Sequence, residues 1–157
     1  MHRRSVCTMM LGALALTGCT SGSTPTVPEM DAPSRAHALW QNRTPYVGDN
    51  SEVAALTANA GFGGMGTHTI ALYTTSRPYV ATVAYDSLSK PFDTVDFTTP
   101  VTLLLGTVAN LDRVEVRSGT DTFSLTSEEA SAKLGFDVKD LGRDEAKLTA
   151  YLQSVDD

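Results

Sequence analysis

His68-Thr69-Ile70-Ala71-Leu72-Tyr73-Thr74 and Tyr79-Val80-Ala81-Thr82-Val83-Ala84-Tyr85, with Ser76-Arg77-Pro78 between them, decide the fold of this chain. In the first run Ile70 and Leu72 fall two residues apart, on one face of an extended segment. The second is rich in Val, Thr and Tyr, the residues that fit a pleated, half-buried surface. Proline and its polar neighbours supply the turn, so the two runs read as a β-hairpin. The pattern returns downstream. Val114 and Val116 alternate with Arg113, Glu115 and Arg117, and Ser118-Gly119-Thr120-Asp121 turns the chain into Thr122–Leu125, a second hairpin.

Helical signals surround these hairpins. Structure is expected to begin near His37-Ala38-Leu39-Trp40. Asp49 followed by Glu52 reads as an N-cap with a capping box. Val53, Leu56 and Ala60 form one apolar stripe behind it, and Gly61 is a natural stop. Thr99 and Pro100 read as N-cap and first helical residue. Val101, Leu104, Leu105 and Val108 then form a stripe ending near Asn110. Thr126 with Glu129 makes another capping box, stopped at Gly135. A last helix from about Arg143 is expected to bury Leu148, Tyr151, Leu152 and Val155. The order is α-β-β-α-β-β-α-α. It predicts a two-layer α+β domain with about four mostly antiparallel strands, in two hairpins, and helices on one face.

Upstream the chain changes character. His2, Arg3 and Arg4 are followed by an apolar run from Met9 to Leu16 and by Leu16-Thr17-Gly18-Cys19. A basic start, a short apolar stretch and small residues at its end are the parts of a secretory leader. The run is shorter than the ~20 apolar residues a spanning helix needs. It resembles the lipoprotein signals of bacteria, in which the cysteine takes a diacylglycerol and becomes the first residue after cleavage. Two acyl chains give a stable hold where one gives a marginal one. Thr20–Arg35, rich in Ser, Thr, Gly and Pro, reads as a linker with a coil dimension of roughly 20–25 Å. The expected organisation is a signal peptide over 1–18, lipidated Cys19 and flexible linker over 19–35, and one domain over 36–157.

The other cysteine, Cys7, belongs to the leader, so the expected domain has no thiol for a disulfide, a cysteine nucleophile or a thiolate metal site. Its net charge of −6 becomes more negative once Arg3 and Arg4 leave. That balance argues against nucleic acid, which requires a basic footprint, and against adhesion to anionic head groups. The lipid on Cys19 is therefore the expected membrane contact.

The segment Thr44-Pro45-Tyr46-Val47-Gly48-Asp49-Asn50-Ser51 resembles the opening of an uncharacterised extracytoplasmic domain family, found chiefly in Gram-positive bacteria and formally a domain of unknown function. Its members continue to a strand pair joined by a P-Y element, here Arg77-Pro78-Tyr79, and to an apolar helix ending in N-x-D, here Asn110-Leu111-Asp112. The resemblance covers roughly Leu39 to Val155. Two positions depart from it: Gly61-Phe62-Gly63-Gly64-Met65-Gly66 replaces a Leu-Pro-rich stretch, and Arg77 replaces an acidic residue. Members are commonly lipoproteins or membrane-tethered domains, some of them appended to sensor-type membrane proteins. The resemblance implies no established activity and no catalytic residues.

Candidate chemistry is sparse. Gly61, Gly63 and Gly66 satisfy G-x-G-x-x-G, but the dinucleotide form follows a strand and opens a helix, whereas here the order is helix, loop, strand. A flexible connector is the expected reading, with no nucleotide and no cofactor. His37 and His68 have no metal-ligand spacing around them, and no metal is expected. No G-x-S-x-G elbow presents a serine. Carboxylate pairs such as Asp49 with Glu52, or Glu128 with Glu129, are explained by capping. The candidates for partner binding are Tyr46, Gly48, Asp49 and Asn50 in the first motif, and Tyr73, Arg113 and Arg117 on an open sheet surface with Thr82 and Glu115. For the first group the plainer reading is that Gly48 permits a turn, Asp49 caps a helix and Tyr46 packs. The expectation is a non-catalytic binding, sensory or accessory module at the outer face of the cytoplasmic membrane, with an envelope protein as partner. The second reading is an extracytoplasmic hydrolase acting on cell-wall or peptide substrates.

Overall fold

The computed structural model describes residues Met30–Asp156; the leader, Cys19 and most of the linker lie outside the described residues. Five helices, α1 (Ala32–Gln41), α2 (Asn50–Ala60), α3 (Thr98–Thr107), α4 (Ser127–Leu134) and α5 (Glu145–Asp156), accompany four strands, β1 (Gly66–Tyr73), β2 (Val80–Leu88), β3 (Arg113–Ser118) and β4 (Asp121–Thr126). The fold is α+β. The sheet runs in the order β1-β2-β3-β4. Both hairpins are present and antiparallel, and they meet along a central parallel pair, β2 with β3. The strands of a parallel pair need a crossover connection between them. Here α3 lies within that crossover, which makes the sheet mixed.

Register places His68, Ile70 and Leu72 of β1 beside Tyr85, Val83 and Ala81 of β2. Ala81 and Val83 in turn face Val114 and Val116, and these face Leu125 and Phe123. This is the core side of the sheet, and α3 packs against its β3–β4 half. Every residue of α3 from Pro100 to Thr107 is buried. The stripe of Val101, Leu104 and Leu105 accounts for one side only. The other sides meet α2, α4 and the 3-10 turn Val138–Gly142, as expected of a helix that is apolar all round. That turn approaches closely because both partners are glycines: a Cβ on Gly106 would lie 2.8 Å from Leu141 Cβ, and one on Gly142 would lie on the Gly106 carbonyl oxygen.

Several local expectations are corrected. Helix α1 begins at Ala32, inside the stretch read as linker, because Asp31 accepts the Ser34 amide at 2.9 Å and a proline occupies the first turn. It is held by tertiary contacts: Ala36 and Leu39 are fully buried, α1 packs on α5, and Arg35 Nε donates to the Asn59 carbonyl at 2.9 Å. Asp49 occupies the N-cap position of α2 but makes no side-chain cap bond, and its Oδ2 instead lies 3.5 Å from Thr44 Oγ1. Helix α3 starts at Thr98, two residues before Pro100. Its opening is fastened by Asp96, which accepts from the Thr98 amide at 2.9 Å and the Thr99 hydroxyl at 3.0 Å. Burial works against the Asp96 carboxylate, but these bonds win and hold its pKa below the ordinary value. Val155, in the last turn of α5, is 40% exposed.

The glycine segment is the largest correction. It is a 3-10 turn over Phe62–Met65, and Phe62 is fully buried. The Phe62 carbonyl accepts from the Tyr85 hydroxyl at 2.8 Å, and burial pushes that phenol up to about 12. Gly61 ends α2 at φ 104°, and Gly66 opens β1 at φ 151° against the Ser87 carbonyl. Gly61 and Gly66 are thus used for positive-φ backbone and close approach, whereas Gly63 and Gly64 face open space. Other local expectations hold: Thr126 and Glu129 form the reciprocal capping box, Gly135 closes α4 at φ 77°, and Leu148 and Leu152 are buried, with Tyr151 partly so.

Candidate functional site

The face of the sheet opposite the core carries three rows of side chains, set by the same register. Tyr73, Val80, Arg113 and Thr126 make the first, Ala71, Thr82, Glu115 and Ser124 the second, and Thr69, Ala84, Arg117 and Thr122 the third. Period-two alternation therefore brings Tyr73, Thr82, Arg113, Glu115 and Arg117 onto one surface from three strands. The 74–79 hairpin loop rises beside them and adds Arg77. Together they line a groove of about 490 Å³. Tyr73 is 57% exposed at its rim.

The floor is charged. Glu115 is bridged by both neighbours on its strand, with Arg113 Nη2 at 3.0 Å from Oε1 and Arg117 Nη2 at 2.5 Å from Oε2. Arg77 pairs with Asp112 at 3.0 Å, its guanidinium 5.3 Å from the Tyr79 ring centroid. Thr82, only 5% exposed, has a hydroxyl with no hydrogen-bond partner among the described residues, and the same is true of Arg113 Nε. Buried polar groups are nearly always paired, so two unpaired ones on adjacent strands of one face are a departure that calls for a physical reason.

The first motif has a different role. Thr44 bridges Val108, its amide donating to the Thr107 carbonyl at 3.1 Å and its carbonyl accepting from Ala109 at 3.0 Å. Asn110 Oδ1 accepts from the Val47 amide at 2.7 Å, and the Asn110 backbone N–H donates to Pro45 O at 3.2 Å. Two residues on, Asp112 Oδ2 accepts the Tyr79 amide at 2.7 Å. The N-x-D element thus fastens both other motifs to the exit of α3. Asn110→Ala would leave the Val47 amide without its partner and is expected to lower stability by about 1–3 kcal/mol, measurable by urea unfolding with an unchanged slope. Tyr46 is 66% exposed, whereas Val47 is buried. Gly48 is not left-handed, and a Cβ there meets only Thr74 Cγ2 at 3.9 Å. Gly48→Ala should therefore keep the melting temperature or raise it slightly, since it restricts the unfolded chain at little steric expense; a marked loss would mean the glycine has another task. That approach to Thr74 sets the Tyr46–Asn50 segment next to the hairpin loop that borders the groove.

The sequence pattern did not single out Lys139. Its amine donates to the carbonyls of Leu105, Val108 and Leu111 at 2.6, 3.0 and 2.6 Å, filling the exit of α3. Burial pushes it down to about 8, against the nearby carboxylates of Asp112 and Asp137, which favour its charged form. His37 pairs with Glu145 at 3.0 Å, and the His68 ring packs 5.3 Å from that of Tyr85. Among the described residues no group of three or more His, Cys, Asp or Glu converges, and no helix is long and apolar enough to cross a membrane.

No curated protein and no solved structure matches the chain. A family model does, over residues 39–131, more than half of the sequence. The match contains all three motifs and starts at Leu39, as the resemblance does, but it ends at Ser131 rather than near Val155, so α5 lies beyond it. The span holds both hairpins, α3 and the N-x-D clamp that joins them, and the chain therefore belongs to the family described as Domain of unknown function (DUF4825).

Proposed function

We infer that this chain is a non-catalytic binding module of the cell envelope, held at the outer face of the cytoplasmic membrane by lipid on Cys19, with the open face of its sheet as the binding surface. The observation that carries this reading is the groove on that face, where Arg113 and Arg117 bridge Glu115, and Arg77 and an unpartnered Thr82 hydroxyl complete the lining. Binding sites gather a few convergent polar groups in a concave surface. The anchor rests on the order of basic start, apolar run and Leu16-Thr17-Gly18-Cys19.

Two measurements test the reading separately. Cells fed a clickable palmitate should label the wild-type chain and not Cys19→Ser, which should move to the soluble fraction; equal labelling of both would remove the anchor. A photo-crosslinking side chain at Tyr73 should capture a discrete envelope protein in intact cells. The same probe at Gln153, on exposed α5, should not. Equal capture from both positions would remove the open face as the binding surface.

A further inference from the structure

We propose that the groove on the open sheet face takes a single carboxylate, presented by a short peptide segment, with Arg113 and Thr82 as its principal donors. This rests on the reading of that face as the binding surface and names the chemistry it recognises.

The first argument is donor inventory. A guanidinium only donates, and the buried Nε–H of Arg113 finds no acceptor among the described residues. The Thr82 hydroxyl, on the neighbouring strand beside Glu115 and so two residues along from Arg113, is likewise unpartnered. An incoming group that satisfies both must carry acceptor oxygens. Neither atom is reached by solvent, so binding requires the outer ends of neighbouring side chains to turn aside. Arg117 and the outer part of Arg113 are exposed, and rotamer changes of exposed side chains are fast.

The second argument is charge. Arg77, Arg113 and Arg117 stand against Glu115 and Asp112, which leaves one positive charge around the groove. That balance matches a monoanion. A dianionic phosphate would face Glu115, which already takes one Nη2 of each sheet arginine. A carboxylate can share or replace Glu115 there, because arginine binds carboxylates through paired, charge-assisted hydrogen bonds. The third argument is size and lining. About 490 Å³ exceeds a lone carboxylate and accommodates the residues that carry it, and the exposed ring of Tyr73 offers them an apolar wall.

The test uses the full chain, isotope-labelled, and follows the Arg113 Nε–H and Thr82 amide signals by NMR. The probes are N-acetyl-Ala-Ala with a free carboxylate, the same peptide as its C-terminal amide, and inorganic phosphate. The carboxylate peptide should shift both signals in a saturable way, with the amide form and phosphate each weaker by roughly tenfold or more. Arg113→Lys, which keeps the charge but loses Nε and the fork, should weaken the carboxylate peptide by a similar factor while its amide spectrum reports an intact fold. Thr82→Val should weaken it by roughly threefold or more. Equal affinity for acid and amide forms, tighter binding of phosphate, or unchanged affinity in both variants would each overturn the proposal. Absence of any shift, with Tyr73 crosslinking still specific, would overturn the carboxylate while leaving the face as the binding surface.

Discussion

Phe62→Ala is expected to lower stability by about 3–5 kcal/mol, enough to unfold much of the population of a domain of ordinary marginal stability. The ring is fully buried although it sits in a segment of four glycines, and it packs 6.4 Å from the His68 ring at the start of β1. Its removal leaves a cavity where α2, the 3-10 turn and the first hairpin converge. The backbone there also accepts the Tyr85 hydroxyl, so loosening the turn weakens that bond. Urea unfolding followed by circular dichroism checks the prediction. Tyr85→Phe should lose only about 1 kcal/mol, since it deletes the hydrogen bond and keeps the ring. If Phe62→Ala were as mild as Tyr85→Phe, the glycine segment would be the loose connector that its composition suggests.

Lys139→Met should lower stability at neutral pH by about 2–4 kcal/mol. Methionine replaces the aliphatic arm but leaves three carbonyls at the exit of α3 without the amine that bonds them. The effect should depend on pH with a defined sign. The folded amine titrates near 8, below the ordinary lysine value, so between there and ~10.4 the unfolded chain binds more protons. The stability contributed by Lys139 therefore rises with pH across that window, by on the order of 2 kcal/mol, and is constant below it. Tyr85 acts in the opposite sense. Its folded pKa of about 12 lies above the unfolded value, so its contribution is complete below ~10 and is lost as the pH rises further. Unfolding free energies measured at intervals of pH should show the gap between wild type and Lys139→Met widening from about pH 8 to 10. A constant gap would mean that the amine is not the titrating group.

What could be read in the residues was local. The alternation at Val114 and Val116, the capping box of Thr126 and Glu129, and the stops at Gly61 and Gly135 each depend on a few consecutive residues and appear as expected. Helix α1 was hidden because Ala-Pro-Ser-Arg has linker composition and becomes helical through burial of Ala36 and Leu39. Asp49 has the right spacing for a capping box, yet its carboxylate turns toward Thr44. The open face was legible to the extent that period two and hairpin pairing bring Tyr73, Thr82, Arg113, Glu115 and Arg117 together. Arg77 as a wall of the groove, Asn110 and Asp112 as clamps, and Lys139 as a plug were not, because each depends on contacts between residues far apart in sequence. The unpaired state of Thr82 and Arg113 Nε is a property of packing and leaves no mark in composition.

The parallel seam between β2 and β3 also bears on how the chain reaches this structure. Each hairpin pairs neighbours in sequence and can form on its own within microseconds. Neither can join the other by simple extension, because their inner strands run in the same direction and Val80 must find Arg113 across the whole 89–112 segment. Closing that segment loses chain entropy before the central pairing returns any free energy. The rate-limiting event should therefore be the pairing of β2 with β3 as α3 docks on the β3–β4 half of the sheet. Substitutions at Leu104 or Val114 would slow folding, whereas substitutions within the first hairpin, such as Ile70, would act mainly on the rate of unfolding.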